Sequence, residues 1–351
     1  MRWSSGTTPR AEGARAGSDA VSSPLAFSRR GVLAVGAAIA FGASAGFSRA
    51  AEPLKISTLK FGTVNWLLDT IKAESEKAGQ AAPFERLELA STQALTVALQ
   101  AGQCDLAVSD WPWAMRRRIE GEPFRFAPYS SALGALMVGK NSKIEKLADL
   151  KGKKVGVAGG PIDKSWLLFR AYAHKEVDGD IAALVEPVFG APPLLNEQLR
   201  LGRIDAVLTF WNFAARLDAE GYRRLVDVSE VMKRLGLEPP PPLVGFVWRD
   251  QLADRKGAQL DAFFAGVKAA NETLRKSDEA WQRLRPSMQV QSDAEFARLK
   301  DYFRAGIPDP WGEADLASSQ KLYGLLSELG GQEFVGPNPR FDPGLFWSSK
   351  V

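Results

Sequence analysis

Five of the ten tryptophans, Trp66, Trp111, Trp113, Trp166 and Trp211, lie in short segments that follow apolar, strand-like runs. Open α/β sheets bind ligands at the carboxyl ends of their strands, so this placement bears on function. An indole offers a broad apolar face and a single N–H donor, and its ring attracts a cation. The same segments hold Asp110 and Asp163, which suit a cation, and Lys60, Lys164 and Arg216, which suit an anion. Asn65 and Asn212 add neutral hydrogen-bonding groups. Ser91, Thr92 and Ser165 put hydroxyls at expected helix starts, where free N–H groups receive an anion or a carbonyl. Each residue also has a plainer reading. Any one tryptophan can be packing, Asp163 can be a helix cap, and Arg116 and Arg216 can lie on exposed helix faces.

Other chemistries are excluded by count. The chain has one Cys and one His, so neither a disulfide framework nor a Cys/His zinc cluster can be built. Cys104 reads as a small buried apolar residue and His174 as a surface residue late in a helix. No G-x-S-x-G elbow or Walker loop is present. No cofactor, metal or catalytic residue is expected.

The elements around these residues repeat. Leu99 to Arg116 reads LQAGQCDLAVSDWPWAMR and Leu199 to Arg216 reads LRLGRIDAVLTFWNFAAR. The shared pattern is L-x-x-G-x-x-D, an apolar strand, then W-x-aromatic-A-x-R. It reads as the end of a helix, a glycine turn, a strand, an aromatic loop and a new helix. Asp105 and Asp205 recur with the turn and are expected to be structural.

Strands are expected at Leu54–Leu59, Phe84–Ala90, Phe124–Ser131, Gly134–Lys140, Val155–Ala158, Val185–Phe189, Arg223–Val228 and Leu243–Arg249. Helices are expected at Asn65–Ala78, Gln93–Ala101, Lys164–Lys175 and Pro192–Leu201, and three more at Leu260–Leu274, Glu295–Ala305 and Asp315–Leu329. The tail Phe334–Trp347 reads as an irregular packed segment. Strands and helices alternate through two units, which gives an α/β fold of two lobes with C-terminal helices. The chain is expected to cross between lobes near 135–142 and 241–249. Lobe 1 is then 51–138 plus 246–351, and lobe 2 is 139–245. Two crossings form a hinge, and a hinged cleft traps ligand.

The pI near 9.1 belongs to the leader. Residues 1–50 hold six Arg and two acids, and the remainder balances at 39 bases and 39 acids, so nucleic acid is not an expected partner. Ser28-Arg29-Arg30-Gly31-Val32-Leu33 is a twin-arginine motif before an apolar run that ends at Ser48-Arg49-Ala50. It reads as a cleaved export signal, with an uncleaved anchor as the other reading.

The sequence resembles the periplasmic substrate-binding proteins of the nitrate/sulfonate/taurine class of ABC importers, a type II bilobal fold. The resemblance rests on the leader, on Phe61 to Trp66, on Ala98 to Asp110 and on Gly202 to Trp211. It rests also on Leu147-Ala148-Asp149-Leu150-Lys151-Gly152-Lys153-Lys154-Val155-Gly156-Val157, close to that family's L-x-D-L-K-G-K-x-V-x-V segment. The resemblance implies a monomeric periplasmic protein, exported by the twin-arginine route, that hands a small molecule to an ABC permease. It places ligand among Phe61, Thr63, Asn65, Trp66, Ser91, Thr92, Asp110, Trp111, Trp113, Asp163, Lys164, Ser165, Trp166, Trp211, Asn212 and Phe213. The tryptophans favour aromatic, apolar or cationic groups over a simple oxyanion. The alternative is a periplasmic enzyme or an accessory factor for a partner oxidoreductase on the same fold.

Overall fold

The computed structural model describes residues 52–177 and 179–347. The leader at 1–50 and its cleavage point lie outside the described residues. The described residues form one compact unit.

Two five-stranded sheets share one plan. The first contains β1 (Leu54–Leu59), β2 (Phe84–Leu89), β3 (Leu106–Asp110), β4 (Phe124–Ser130) and β10 (Val244–Arg249), in the order β2-β1-β3-β10-β4. The second contains β5 (Ala135–Val138), β6 (Lys154–Ala158), β7 (Glu186–Gly190), β8 (Ala206–Thr209) and β9 (Arg223–Asp227), in the order β7-β6-β8-β5-β9. In each sheet one strand runs against its neighbours, β10 in the first and β5 in the second. Each of these strands follows directly on a passage from the other sheet.

The position of β5 corrects the expected boundary. Residues 134–138 are expected in the first lobe, yet β5 pairs with β8 and β9, so the chain crosses at 131–134. All four residues of β5 are buried, and a strand apolar on both faces belongs in the interior of a sheet. Gly134 fits the crossing because it has no side chain: a Cβ there would lie 2.0 Å from the Thr209 carbonyl oxygen. The second passage leads into β10, which begins at Val244 and lies in the first sheet.

The covering helices are α1 (Val64–Lys77), α2 (Thr92–Gln100), α3 (Trp111–Ile119), α4 (Lys164–Glu176), α5 (Ile181–Leu184), α6 (Pro192–Arg200), α7 (Trp211–Ala219) and α8 (Val228–Arg234). Four further helices, α9 (Leu252–Lys276), α10 (Asp278–Met288), α11 (Asp293–Ala305) and α12 (Glu313–Val335), follow β10. α10 is not among the expected helices. Its signals are a Ser277 cap accepting from Ala280 N at 3.1 Å and the buried spacing Trp281, Leu284, Met288, with Pro286 near its end obscuring the pattern. These last helices bridge the sheets: α11 packs along α7, and α12 packs on both α3 and α4.

The repeat is visible bond by bond. Gly102 and Gly202 have φ of 69° and 66°, the left-handed conformation that glycine adopts without a Cβ penalty. Gln103 N donates to Ala98 O and Arg203 N to Gln198 O, both at 2.9 Å. Asp105 N donates to Lys55 O at 2.8 Å while Lys55 N donates to Asp105 Oδ2 at 2.9 Å. Asp205 makes the same reciprocal pair with Lys154, at 2.8 and 2.9 Å. Each aspartate therefore fastens the turn to the start of the neighbouring parallel strand, as expected of a structural residue. Asp105 also accepts from Lys256 Nζ at 2.9 Å. Asp205→Ala is expected to lower unfolding free energy by about 1 kcal/mol and Asp105→Ala by about 2 kcal/mol, measured by urea denaturation.

Candidate functional site

Two contacts bring the carboxyl ends of the two sets of strands together. Lys164 Nζ, in the first turn of α4, donates to Asp110 Oδ2 at the end of β3, at 3.1 Å. On another side, Trp66 of α1 meets Trp211 of α7 edge to face, with ring centroids 6.0 Å apart. These contacts are made by the segments after β1, β6 and β8 and by the end of β3, at the carboxyl ends of strands in both sheets, a region termed the mouth.

The tryptophans do not line it. Trp111 is fully buried, donates its indole N–H to Pro242 O at 3.1 Å, and packs against Tyr323, Phe341 and Phe346. Trp166 is buried against Phe189. Trp66 and Trp211 are buried around Phe303, and Trp113 is half-buried against Phe124. Trp111 and Trp211 belong to different hydrophobic clusters. The reason is local. Trp111-Pro112-Trp113 and Trp211-Asn212-Phe213 are first turns of helices rather than loops, and the first ring of each folds back into the interior. In α3 that start is fixed by Asp110 Oδ1, which accepts from Trp113 N at 2.9 Å.

Among the described residues the exposed aromatic rings are Phe61, Phe189 and Phe210. Phe61, just after β1, is 71% exposed, and Phe210, just after β8, is 39% exposed. Phe210 is not among the expected ligand residues. Its signal was its place in the repeat, where it stands opposite Asp110. Phe61 sits on a closely held turn. Gly62 N donates to Leu59 O at 2.9 Å, and Asn65 Nδ2 donates to Leu59 O at 2.9 Å and to Lys60 O at 3.3 Å. The amide of Asn65 thus positions the turn, while its Oδ1 is buried with no hydrogen-bond partner. Lys60 is exposed, with its ammonium 5.5 Å from the Phe61 ring centroid.

The remaining expected residues divide between capping and the mouth. Ser91 caps α2, its Oγ accepting from Ala94 N at 3.2 Å, and Thr92 is exposed beside it. Asp163 caps α4, its Oδ1 accepting from Ser165 N at 2.9 Å. Thr63 Oγ1 and Tyr129 OH share a hydrogen bond of 3.0 Å. Asn212 and Phe213 are half-buried, and the Phe213 carbonyl accepts from Asn196 Nδ2. Arg216 is no free surface cation: it donates to Met288 O at 3.1 Å and pairs with the buried Glu295.

Asp110, Asp163 and Lys164 form one electrostatic group. Burial pushes the Asp163 carboxyl above its usual range, against the opposing pull of Lys164 and of the Ser165 and Trp166 N–H groups. Burial pulls the Lys164 ammonium down, but Asp110 and Asp163 outweigh it and hold it above the usual lysine value. The Lys164 and Asp110 side chains remain 23% and 24% exposed, so solvent still screens the pair. Burial also raises the Tyr129 phenol and the Cys104 thiol, which keeps both protonated at neutral pH. Cys104 is buried and His174 is exposed on α4, as the sequence suggested. No group of three or more His, Cys, Asp or Glu able to hold a metal occurs among the described residues.

The comparisons agree on architecture. The NMT1/THI5-like family model matches residues 87–234. The periplasmic aliphatic sulphonate binding protein of Escherichia coli superposes with a TM-score of 0.65 at 17% identity, over 86% of this chain and 94% of its own. The alkanesulfonate-binding protein of Xanthomonas axonopodis pv. citri, bound to MOPS, gives 0.63 at 18% identity, over 85% and 99%. A putative thiamine biosynthesis protein of Haemophilus influenzae is 27% identical over 186 residues, which is 52% of this chain and 56% of that relative's length. The chain thus has the two-lobed α/β fold of the periplasmic substrate-binding proteins.

Two outcomes follow. Trp211→Ala should destabilise the protein by about 3–5 kcal/mol, as for a large buried ring, in denaturant unfolding. Asp163→Asn keeps a capping side chain and removes a carboxylate whose folded-state pKa is raised. A raised acid opposes folding above its unfolded value of 3.8, so the variant should melt higher than wild type at pH 7. That advantage should vanish as the pH falls below about 4 in parallel thermal melts.

Proposed function

We propose that this protein is a periplasmic solute-binding protein that takes a small organic molecule between two lobes and delivers it to an ABC permease. The two sheets with their helices would be the lobes, joined at 131–134 and just before β10, and the twin-arginine leader would carry the folded chain to the periplasm. The observation that carries this reading is the closely held turn after β1, which presents an exposed Phe61 at the mouth between the sheets. An exposed ring on a fixed turn adds little to folding and offers a preorganised apolar contact. Phe210 gives a second ring from the other sheet.

The fixed charges at the mouth are mixed, with Lys60 and Lys164 against Asp110 and Asp163. That balance suits a ligand with an aromatic or apolar body and a polar or zwitterionic end better than a bare oxyanion. The names of the similar proteins supply two probe classes: alkanesulfonates, MOPS among them, and thiamine-related compounds. Closure would be driven by the difference in a ligand's affinity for the closed and open forms.

The test uses purified residues 51–351 in a thermal-shift and tryptophan-fluorescence screen of these classes, with small-angle scattering on each hit. At least one compound should raise the melting temperature and change the scattering profile. Phe61→Ala should weaken that compound about tenfold or more while leaving the melting temperature of the free protein unchanged. If no compound in any class moves either signal, the solute-binding reading fails.

A further inference from the structure

Thr63 stands at the N-cap of α1, where a threonine hydroxyl ordinarily accepts from an N–H of the first turn. It makes no such bond: its backbone is already helical, with φ −68° and ψ −17°, and no side-chain cap is formed. The hydroxyl is turned instead toward Tyr129, whose OH lies 3.0 Å away. Tyr129 is only 6% exposed, and its ring packs on Phe246 and Phe303. Breaking the bond would leave a buried phenol without a partner, which polar groups in protein interiors avoid.

Tyr129 lies at the end of β4, directly before the first crossing. Ser130 Oγ accepts from Ala132 N at 3.1 Å, and Ser131 N donates to Gly306 O at 2.7 Å. A single side chain therefore joins the turn that presents Phe61 to the segment on which the two sheets are hung. The other bonds that hold the turn, from the Asn65 amide, Gly62 N and Lys60 N, end on Leu59, Lys60 and Leu89 and reach no crossing residue.

We propose that Tyr129 is a positioning residue that couples the turn after β1 to the first crossing, so that ordering of the turn by solute is transmitted to the hinge. The coupling rests on the reading of that turn as part of a solute site, but it is testable without any ligand. Hydrogen–deuterium exchange would be followed on residues 51–351 for peptides spanning 60–66 and 131–134, in wild type, Tyr129→Phe, Thr63→Val, Thr63→Ser and the Thr63→Val/Tyr129→Phe double variant.

Thr63→Val should speed exchange about fivefold in 131–134, a segment it does not touch, as well as in 60–66. Tyr129→Phe should speed both segments to a similar degree, the double variant should be no faster than either single one, and Thr63→Ser should behave as wild type. If Thr63→Val changes 60–66 alone, or if the two single effects add, the coupling is wrong. Should Tyr129→Phe fail to fold, Thr63→Val and Thr63→Ser still decide the matter. Because the exchange experiment uses free protein, its failure would leave the solute screen standing, and a barren screen would leave the exchange result standing.

Discussion

The ring of Phe303 is the contact on which the arrangement of the two sheets depends. It meets Trp281 at 5.2 Å, Trp66 at 5.8 Å, Trp211 at 6.1 Å and Tyr129 at 6.5 Å between centroids. These rings come from α10, α1, α7 and β4, so one side chain of α11 joins elements of both sheets. Most of these contacts are edge-to-face, the geometry that the ring quadrupole favours over a stacked sandwich. Tyr302 beside it donates to Asp218 Oδ2 at 3.1 Å and receives Arg224 over its ring at 4.4 Å. The C-terminal helices are thus part of the joint rather than an appendage to one sheet.

That joint explains where the tryptophans went. A ring placed right after a strand faces two demands: the strand end opens toward the mouth, and the helix that follows must pack. Trp66, Trp111, Trp166 and Trp211 satisfy the second. Each buries a large apolar surface, and transfer of such a side chain from water is worth about 2–3 kcal/mol. An exposed indole at the same position would forgo that gain. Phe61 and Phe210, which forgo that gain, stay 71% and 39% exposed. The polar groups at the mouth follow a similar division. Asp110 and Asp163 each use one oxygen to cap a helix, and Lys164 closes the gap between the sheets through Asp110.

The same division bears on motion. The Asp110–Lys164 pair is partly exposed and contributes little to holding the sheets together in water. The aromatic joint around Phe303 is dry and resists separation. In the proposed solute-binding role, opening would part the ion pair and keep the joint as its pivot, with the crossing at 131–134 absorbing the change.

Sequence alone determined the parts that are local or periodic. The alternation of strands and helices, the two copies of L-x-x-G-x-x-D with their glycine turns, and the structural role of Asp105 and Asp205 all follow from short-range bonding, which spacing encodes. The capping roles of Ser91 and Asp163 were legible for the same reason. Tertiary structure decided which sheet β5 entered, because its four apolar residues fit the centre of either sheet and only pairing with β8 and β9 selects one. It decided also which aromatic residues are buried, because W-x-aromatic after a strand reads alike whether a helix covers the rings or leaves them free. Arg216 looked like a surface cation until α10 and α11 were folded onto it. The link from Thr63 to Tyr129 spans 66 residues, and no local pattern marks a hydroxyl that leaves its own helix for another element.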